Sequence, residues 1–151
     1  MESYPIKKIS VGVAVIATVA VIASIGLGLF ALFWGMTPGD IESKDGNLKI
    51  SGIYGESIPH SEIKSVELIY TKPQIKRRTN GYALGSIKKG YFANSQEKFK
   101  LFIDQPELPW ILITKQNDRK IYYSSSRSDN EEIFEDLINT LPNNAYNLSL
   151  P

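Results

Sequence analysis

One histidine, no cysteine and sixteen scattered carboxylates leave this chain of 151 residues few routes to covalent chemistry. Without cysteine there can be no disulfide, thiolate metal site, iron–sulfur cluster or cysteine nucleophile. His60 stands alone in Pro59-His60-Ser61, which excludes a histidine-rich metal cluster and reads as an exposed or capping side chain in a turn. Serines and acids are plentiful, yet no Gly-x-Ser-x-Gly elbow sets a serine on the strained turn that exposes a nucleophile. A pair of carboxylates is enough for glycoside-type acid–base work. The acids here lie mostly in turns and on the last helical segment, where solvation accounts for them. The expectation is a protein that is not an enzyme and carries no cofactor or metal.

Gly81, Gly85 and Gly90 follow one another with three and then four residues between them. A dinucleotide loop needs G-x-G-x-x-G, and a P-loop needs lysine and then Ser or Thr after its last glycine, where Tyr91 stands here. These glycines are better placed as turns, bulges or bends of a curved sheet. The residues with most binding potential are basic: Lys72, Lys76, Arg77, Arg78, Lys88, Lys89, Lys98 and Lys100, with Glu97 the one acid among them. The stretch from Lys72 to Lys100 therefore carries +7 in a chain whose net charge is +1, leaving −6 for the remainder. Such asymmetry can attract anionic headgroups at about 1 kcal/mol per nearby cation. Tyr82, Tyr91 and Phe92 are interleaved and suit an interface. The overall balance, 17 basic against 16 acidic residues, does not mark a nucleic-acid binder.

These residues need a scaffold, and the chain supplies it in two parts. After an N-terminal flank over 1–10, the 24 residues from Val11 to Trp34 hold no charge, and Thr18 and Ser24 are their only polar side chains. A helix of that length is about 36 Å long, enough to cross a hydrocarbon core of roughly 30 Å once. A cleaved signal peptide has a shorter apolar region ending at small residues, whereas this run ends in Leu29-Phe30-Ala31-Leu32-Phe33-Trp34. Retention as a signal-anchor is expected, with Trp34 at the interface. Lys7 and Lys8 before the helix, against Lys44 as the first basic residue after it, put the N-terminus inside and the domain on the extracytoplasmic side. Ala20, Ser24 and Gly28 lie four apart, a small-residue stripe of the kind that lets helices approach closely and form homo-oligomers.

A short linker, 35–39, keeps the following domain near the bilayer. From 40 to 141 turn signals divide short alternating segments. Lys44-Asp45-Gly46-Asn47 has the Asp-Gly of a tight hairpin, with Leu48 and Ile50 on one face of the next strand. Strands are expected over Ile53–Ile58, Glu62–Tyr70, Ala83–Phe92, Lys98–Ile103, Trp110–Thr114 and Lys120–Ser124, with Asn80-Gly81 as a turn. Ser128-Asp129-Asn130-Glu131 fits a capping box for a helix whose apolar face is Ile133, Phe134, Leu137, Ile138 and Leu141. Pro142 stops it, and the tail to Pro151 reads as loose. The class is mainly β, an antiparallel barrel or sandwich with a C-terminal amphipathic helix.

That order of elements resembles a pleckstrin-homology domain. The run from Ser57 to Leu68, with Ile58-Pro59-His60-Ser61-Glu62-Ile63 at its centre, is similar to a turn entering a strand in bacterial pleckstrin-homology-like domains. The run from Arg77 to Phe92, with Arg78-Thr79-Asn80-Gly81 followed by Gly85 and Gly90, resembles a signature of one such family. Leu101–Ile103 and Trp110–Ile113 continue the likeness, which spans roughly 40–140. The resemblance implies a membrane-anchored bacterial member whose fold hosts lipid binding, protein binding or structural roles, without selecting among them. Two functions are expected on these grounds. One is a non-catalytic binding module, held at the bilayer of a bacterial plasma membrane, that contacts a protein partner or anionic lipid. The alternative is a structural subunit of a membrane complex, assembled through the helix stripe or a sheet edge.

Overall fold

A computed structural model describes residues 10–141. Expectations for Lys7, Lys8, Pro142 and the tail fall outside the described residues. The chain divides into two compact units, the first ending at Gly35 and the second starting at Met36.

The first unit is built on the helix α1, Val11–Met36, which is two residues longer than the uncharged run that predicts it and whose last residue opens the second unit. Ser10 starts it, its Oγ accepting from the Val13 N–H at 3.4 Å. Thr18 and Ser24 turn their hydroxyls back onto the helix, donating to the carbonyls of Ala14 and Ala20 at 3.0 and 2.8 Å. The two hydroxyls of the span are thus satisfied within the helix, as an apolar medium requires. Its mean hydropathy is 2.5, and its most apolar stretch is exposed, unlike the core helix of a soluble domain. It is long and apolar enough to span a membrane once.

Among the described residues, the second unit holds nine strands and one further α-helix. Strands β1 (Ile41–Lys44), β2 (Asn47–Ile50) and β3 (Glu56–Pro59) form an antiparallel sheet in that order. The Asp45-Gly46 turn pairs Lys44 with Asn47, and both turn residues have positive φ, 51° and 75°, as a type I′ hairpin requires. Leu48, Ile50 and Ile58 are fully buried from one face of this sheet. The third strand starts at Glu56 rather than Ile53, because Gly52 and Tyr54 take φ of +88° and +65° and no ladder can run through them.

A 3₁₀ turn at His60–Glu62 leads to β4 (Ile63–Ile69). The larger sheet runs β4-β8-β9-β7-β6-β5, with β5 Arg77–Leu84, β6 Ile87–Ala93, β7 Lys98–Ile103, β8 Trp110–Lys115 and β9 Lys120–Ser124. Two sequence expectations are corrected here. Asn80-Gly81 is not a turn but the middle of β5, and the reversal falls at Gly85-Ser86, where Leu84 pairs with Ile87. Gly85 has φ +56° at the first turn position, the place a type II′ hairpin reserves for glycine. Furthermore, β7 and β9 pair in parallel, Phe99 beside Lys120 and Ile103 beside Ser124, within an otherwise antiparallel arrangement.

Both faces of this sheet are apolar. Val66, Phe102, Ile111, Ile113, Ile121 and Tyr123 meet Leu48, Ile50 and Ile58 of the small sheet in one core. Phe92, Phe99, Leu101, Ile103, Trp110 and Tyr122 form a second core cluster. Each fully buried side chain of this size contributes about 1.5–3 kcal/mol. Helix α2 (Asn130–Thr140) closes the first core with Phe134 and Leu137, Leu141 following at its C-terminus, on the face the periodicity predicts. Its cap is Asp129, not Ser128: the carboxylate accepts from the Glu131 N–H at 2.7 Å. Asn130, 3% exposed, sets the position by donating to the Pro109 carbonyl and the Ser124 hydroxyl and accepting from the Ser125 N–H.

Candidate functional site

The eight basic residues singled out from sequence do not form one surface. Lys89 is 1% exposed, and its Nζ lies 2.8 Å from Asp104 Oδ1 while donating to the Thr37 carbonyl. Asp104 Oδ2 in turn accepts from the Gly39 N–H, and Tyr123 donates its hydroxyl to the Gly39 carbonyl at 2.8 Å. Lys89 is therefore structural, tying the segment at the start of this unit to the sheet. Its period-two position on β6 turns it inward, opposite Phe102. Lys72 lies 5.6 Å from the centre of the Trp110 ring, and Lys88 lines a cleft of about 150 Å³ with Lys72, Pro73, Ser86 and Ile103. Lys76, Arg77 and Arg78 are exposed at the start of β5, with the two arginines on opposite faces as successive strand residues.

Lys98 and Lys100 do converge, on residues that sequence reading passed over. With Lys115, Arg119 and Lys120 they line a cleft of about 260 Å³, where Glu56 is the one acid. Phe99 and Ile121 supply its apolar lining, together with the half-exposed Tyr91. The parallel β7–β9 pairing brings the Lys98 end of β7 to the start of β9, and the 117–119 turn returns the chain from Lys115 to Lys120. The turn itself is legible in Asn117-Asp118-Arg119, and Asp118 takes φ +60° there. Its flanking cations carried the missed signal; their meeting with β7 depends on a parallel crossover that short-range pattern does not encode.

The cations differ in state. Lys100 is 6% exposed, and its Nζ sits 2.5 Å from Glu56 Oε2 and about 5 Å from the rings of Tyr91 and Phe102, at 5.2 and 5.0 Å. That is a desolvated ammonium stabilised by a carboxylate and two ring quadrupoles. Lys115 pairs with Glu62 at 3.1 Å and Lys120 with Glu97 at 2.9 Å. The Glu97 hydrogen bond holds the Lys120 ammonium above its ordinary pKa. Lys98 and Arg119 have no acidic side chain within ion-pair distance among the described residues. The cleft presents fixed charge, hydrogen-bond donors and an aromatic wall, the equipment of a binding site for an anion.

His60 accepts or donates one hydrogen bond with the Ser43 hydroxyl at 3.0 Å, which fits a side chain anchoring the turn to β1. Among the described residues no three His, Asp or Glu side chains gather as a metal-holding group. On α1, Ala20, Ser24 and Gly28 share a face by their spacing, with Ser24 bonded to Ala20. Trp34 packs edge-to-face on Phe30, ring centres 5.3 Å apart. No family model, curated protein or solved structure matches the chain.

Proposed function

We propose that this chain is a single-pass membrane protein of the pleckstrin-homology-like kind whose domain is a non-catalytic binding module. The β7–β9 cleft engages an anionic group, of a lipid headgroup or of a protein partner, at the bilayer surface. The observation that carries this reading is the convergence of five cations, four from three strands and Arg119 from the turn between β8 and β9, on a cleft lined by one acid. Tethering by α1 confines the module to its membrane, so the effective concentration of a ligand there compensates for a weak intrinsic affinity. The contact is largely electrostatic and should weaken with salt.

The test compares amine labelling of Lys98 in the full chain held in neutral and in anionic lipid nanodiscs. Protection in anionic discs that disappears on adding salt to about 0.5 M is expected for lipid contact. Equal labelling in both, with protection by a soluble polyglutamate peptide in neutral discs, would assign the cleft to an acidic protein segment. If neither ligand alters Lys98 labelling at physiological salt, the reading is wrong.

The lysines that precede α1 in the sequence support a domain on the extracytoplasmic side of a bacterial plasma membrane. Asn94 is a poor position for a topology label, since its Oδ1 accepts from the N–H groups of Gln96 and Glu97 and shapes the β6–β7 turn. Ser95 is exposed. Ser95→Cys, the sole thiol in the chain, should react with a membrane-impermeant reagent in intact cells; labelling only after lysis would reverse the orientation. The alternative, a structural subunit, draws on the outer edge of β5, an eight-residue strand that ends the larger sheet. The register shift between Arg78 and Asn80 and the two arginines there are devices that discourage edge pairing, which favours the first reading.

A further inference from the structure

Glu56 occupies the innermost cation of the cleft, and its placement is unusual. It begins β3, a four-residue strand at the edge of the small sheet, straight after the turn in which Tyr54 holds φ +65°. A bulky residue in that conformation is strained and persists only where its surroundings hold it. They do: Tyr54 donates to Asn80 Oδ1 at 3.3 Å and packs edge-to-face on Tyr91, which lines the cleft. The turn that delivers Glu56 is thus braced against the wall of the site that Glu56 enters. Of the five cations, Glu56, Glu62 and Glu97 match three, which leaves Lys98 and Arg119 and a surplus of two positive charges.

We infer that Glu56 is an internal competitor for the ligand of this cleft: its carboxylate fills the Lys100 subsite, and the ligand is a compact oxygen dianion held by Lys98 and Arg119. This rests on the reading of the cleft as an anion site. Two unmatched cations suit a dianion over a monocarboxylate, and the Arg119 fork presents paired donors to a tetrahedral or planar oxyanion. When a ligand reaches deep enough to displace Glu56, Lys100 becomes a third contact. Glu56 therefore sets the affinity, holding the empty site in a neutralised state in place of a buried bare ammonium.

The experiment titrates the full chain in neutral detergent micelles with inorganic phosphate and, separately, acetate at matched ionic strength, following thermal stabilisation. Phosphate should stabilise the protein more than acetate, and Glu56→Gln should bind phosphate about tenfold more tightly, since one like charge near the ligand is removed. Lys98→Ala with Arg119→Ala should abolish the effect. Glu56→Asp, which keeps the charge and shortens its reach to Lys100, gives a second reading if the glutamine variant fails to fold, with an expected gain smaller than tenfold. Saturable phosphate binding by the wild type with no gain in either variant would overturn the competitor role and leave the anion site standing. Weaker binding in either variant would make Glu56 an organiser of Lys100, also overturning it. Absence of binding by every form would remove the site and the inference together.

Discussion

Replacing Lys89 with alanine should cost the domain about 3–5 kcal/mol, the range for stranding one member of a buried ion pair. Its side chain and that of Asp104 are 2% and 3% exposed, so the carboxylate left behind would be desolvated without a counter-ion. The Thr37 carbonyl would also lose its donor. The loss lies in the unmatched charge, not in the attraction of the pair. The double change Lys89→Met with Asp104→Leu should therefore recover most of the stability, and the coupling should appear as strong non-additivity. Chemical denaturation of the full chain in micelles, followed by near-ultraviolet dichroism, reads both. A loss below about 1 kcal/mol in Lys89→Ala would mean that water reaches the pair.

The same network has a pH signature through Tyr123. Burial pushes its phenol up to about 12 from an ordinary 10. Below pH 10 the phenol is protonated in both folded and unfolded chains and contributes no slope. Between 10 and 12 only the unfolded chain ionises there, so stability should fall by about 1.4 kcal/mol per pH unit and then level. Tyr123→Phe should flatten that slope by the same amount, while costing about 1 kcal/mol at neutral pH for the lost bond to the Gly39 carbonyl. An unchanged slope in the phenylalanine variant would assign the alkaline transition to other groups.

The second large effect is expected at Gly90. Its φ is +107°, and a Cβ there would lie 2.6 Å from the Asn80 carbonyl oxygen and 2.7 Å from the Gly81 Cα. Both contacts are backbone of the partner strand β5, so neither can rotate away. Gly81 mirrors the constraint, since its own Cβ would meet the Lys89 carbonyl at 2.5 Å, and the two glycines are register partners. Gly90→Ala should thus lose about 2–5 kcal/mol, combining a disfavoured φ with a forced separation of the strands. Gly85→Ala provides the contrast: φ is +56° but nothing lies within 4 Å, so about 1–2 kcal/mol is expected from conformation alone. Equal thermal shifts for the two variants would show that β5 can move aside.

The three glycines illustrate what single-sequence reading could and could not reach. Their spacing excluded a phosphate loop and pointed to bends in a curved sheet, but not to which of them pair. The Asp45-Gly46 hairpin, the alternation of Leu48 and Ile50, the apolar face of α2 and the uncharged span of α1 were all legible, because each depends on neighbours within a few residues. Asn80-Gly81 misled for the same reason: a strong local turn signal was overridden by pairing with Tyr91 and Gly90. Basic residues between 72 and 100 were visible as a charge excess, yet Lys89 and Lys98 share a sheet face by register, and only their place along it buries Lys89 while Lys98, the first residue of β7, stays exposed.

By itself, then, the sequence determined the apolar helix, the mainly β class and the absence of thiol chemistry, since these follow from composition and short-range period. Only the tertiary structure decided which charges share a site. The parallel β7–β9 pairing joins Lys98 and Lys100 to Lys115, Arg119 and Lys120, and the small sheet sends Glu56 in among them. Contacts between residues so far apart along the chain depend on strand order, a property of the whole domain that no short stretch of sequence carries.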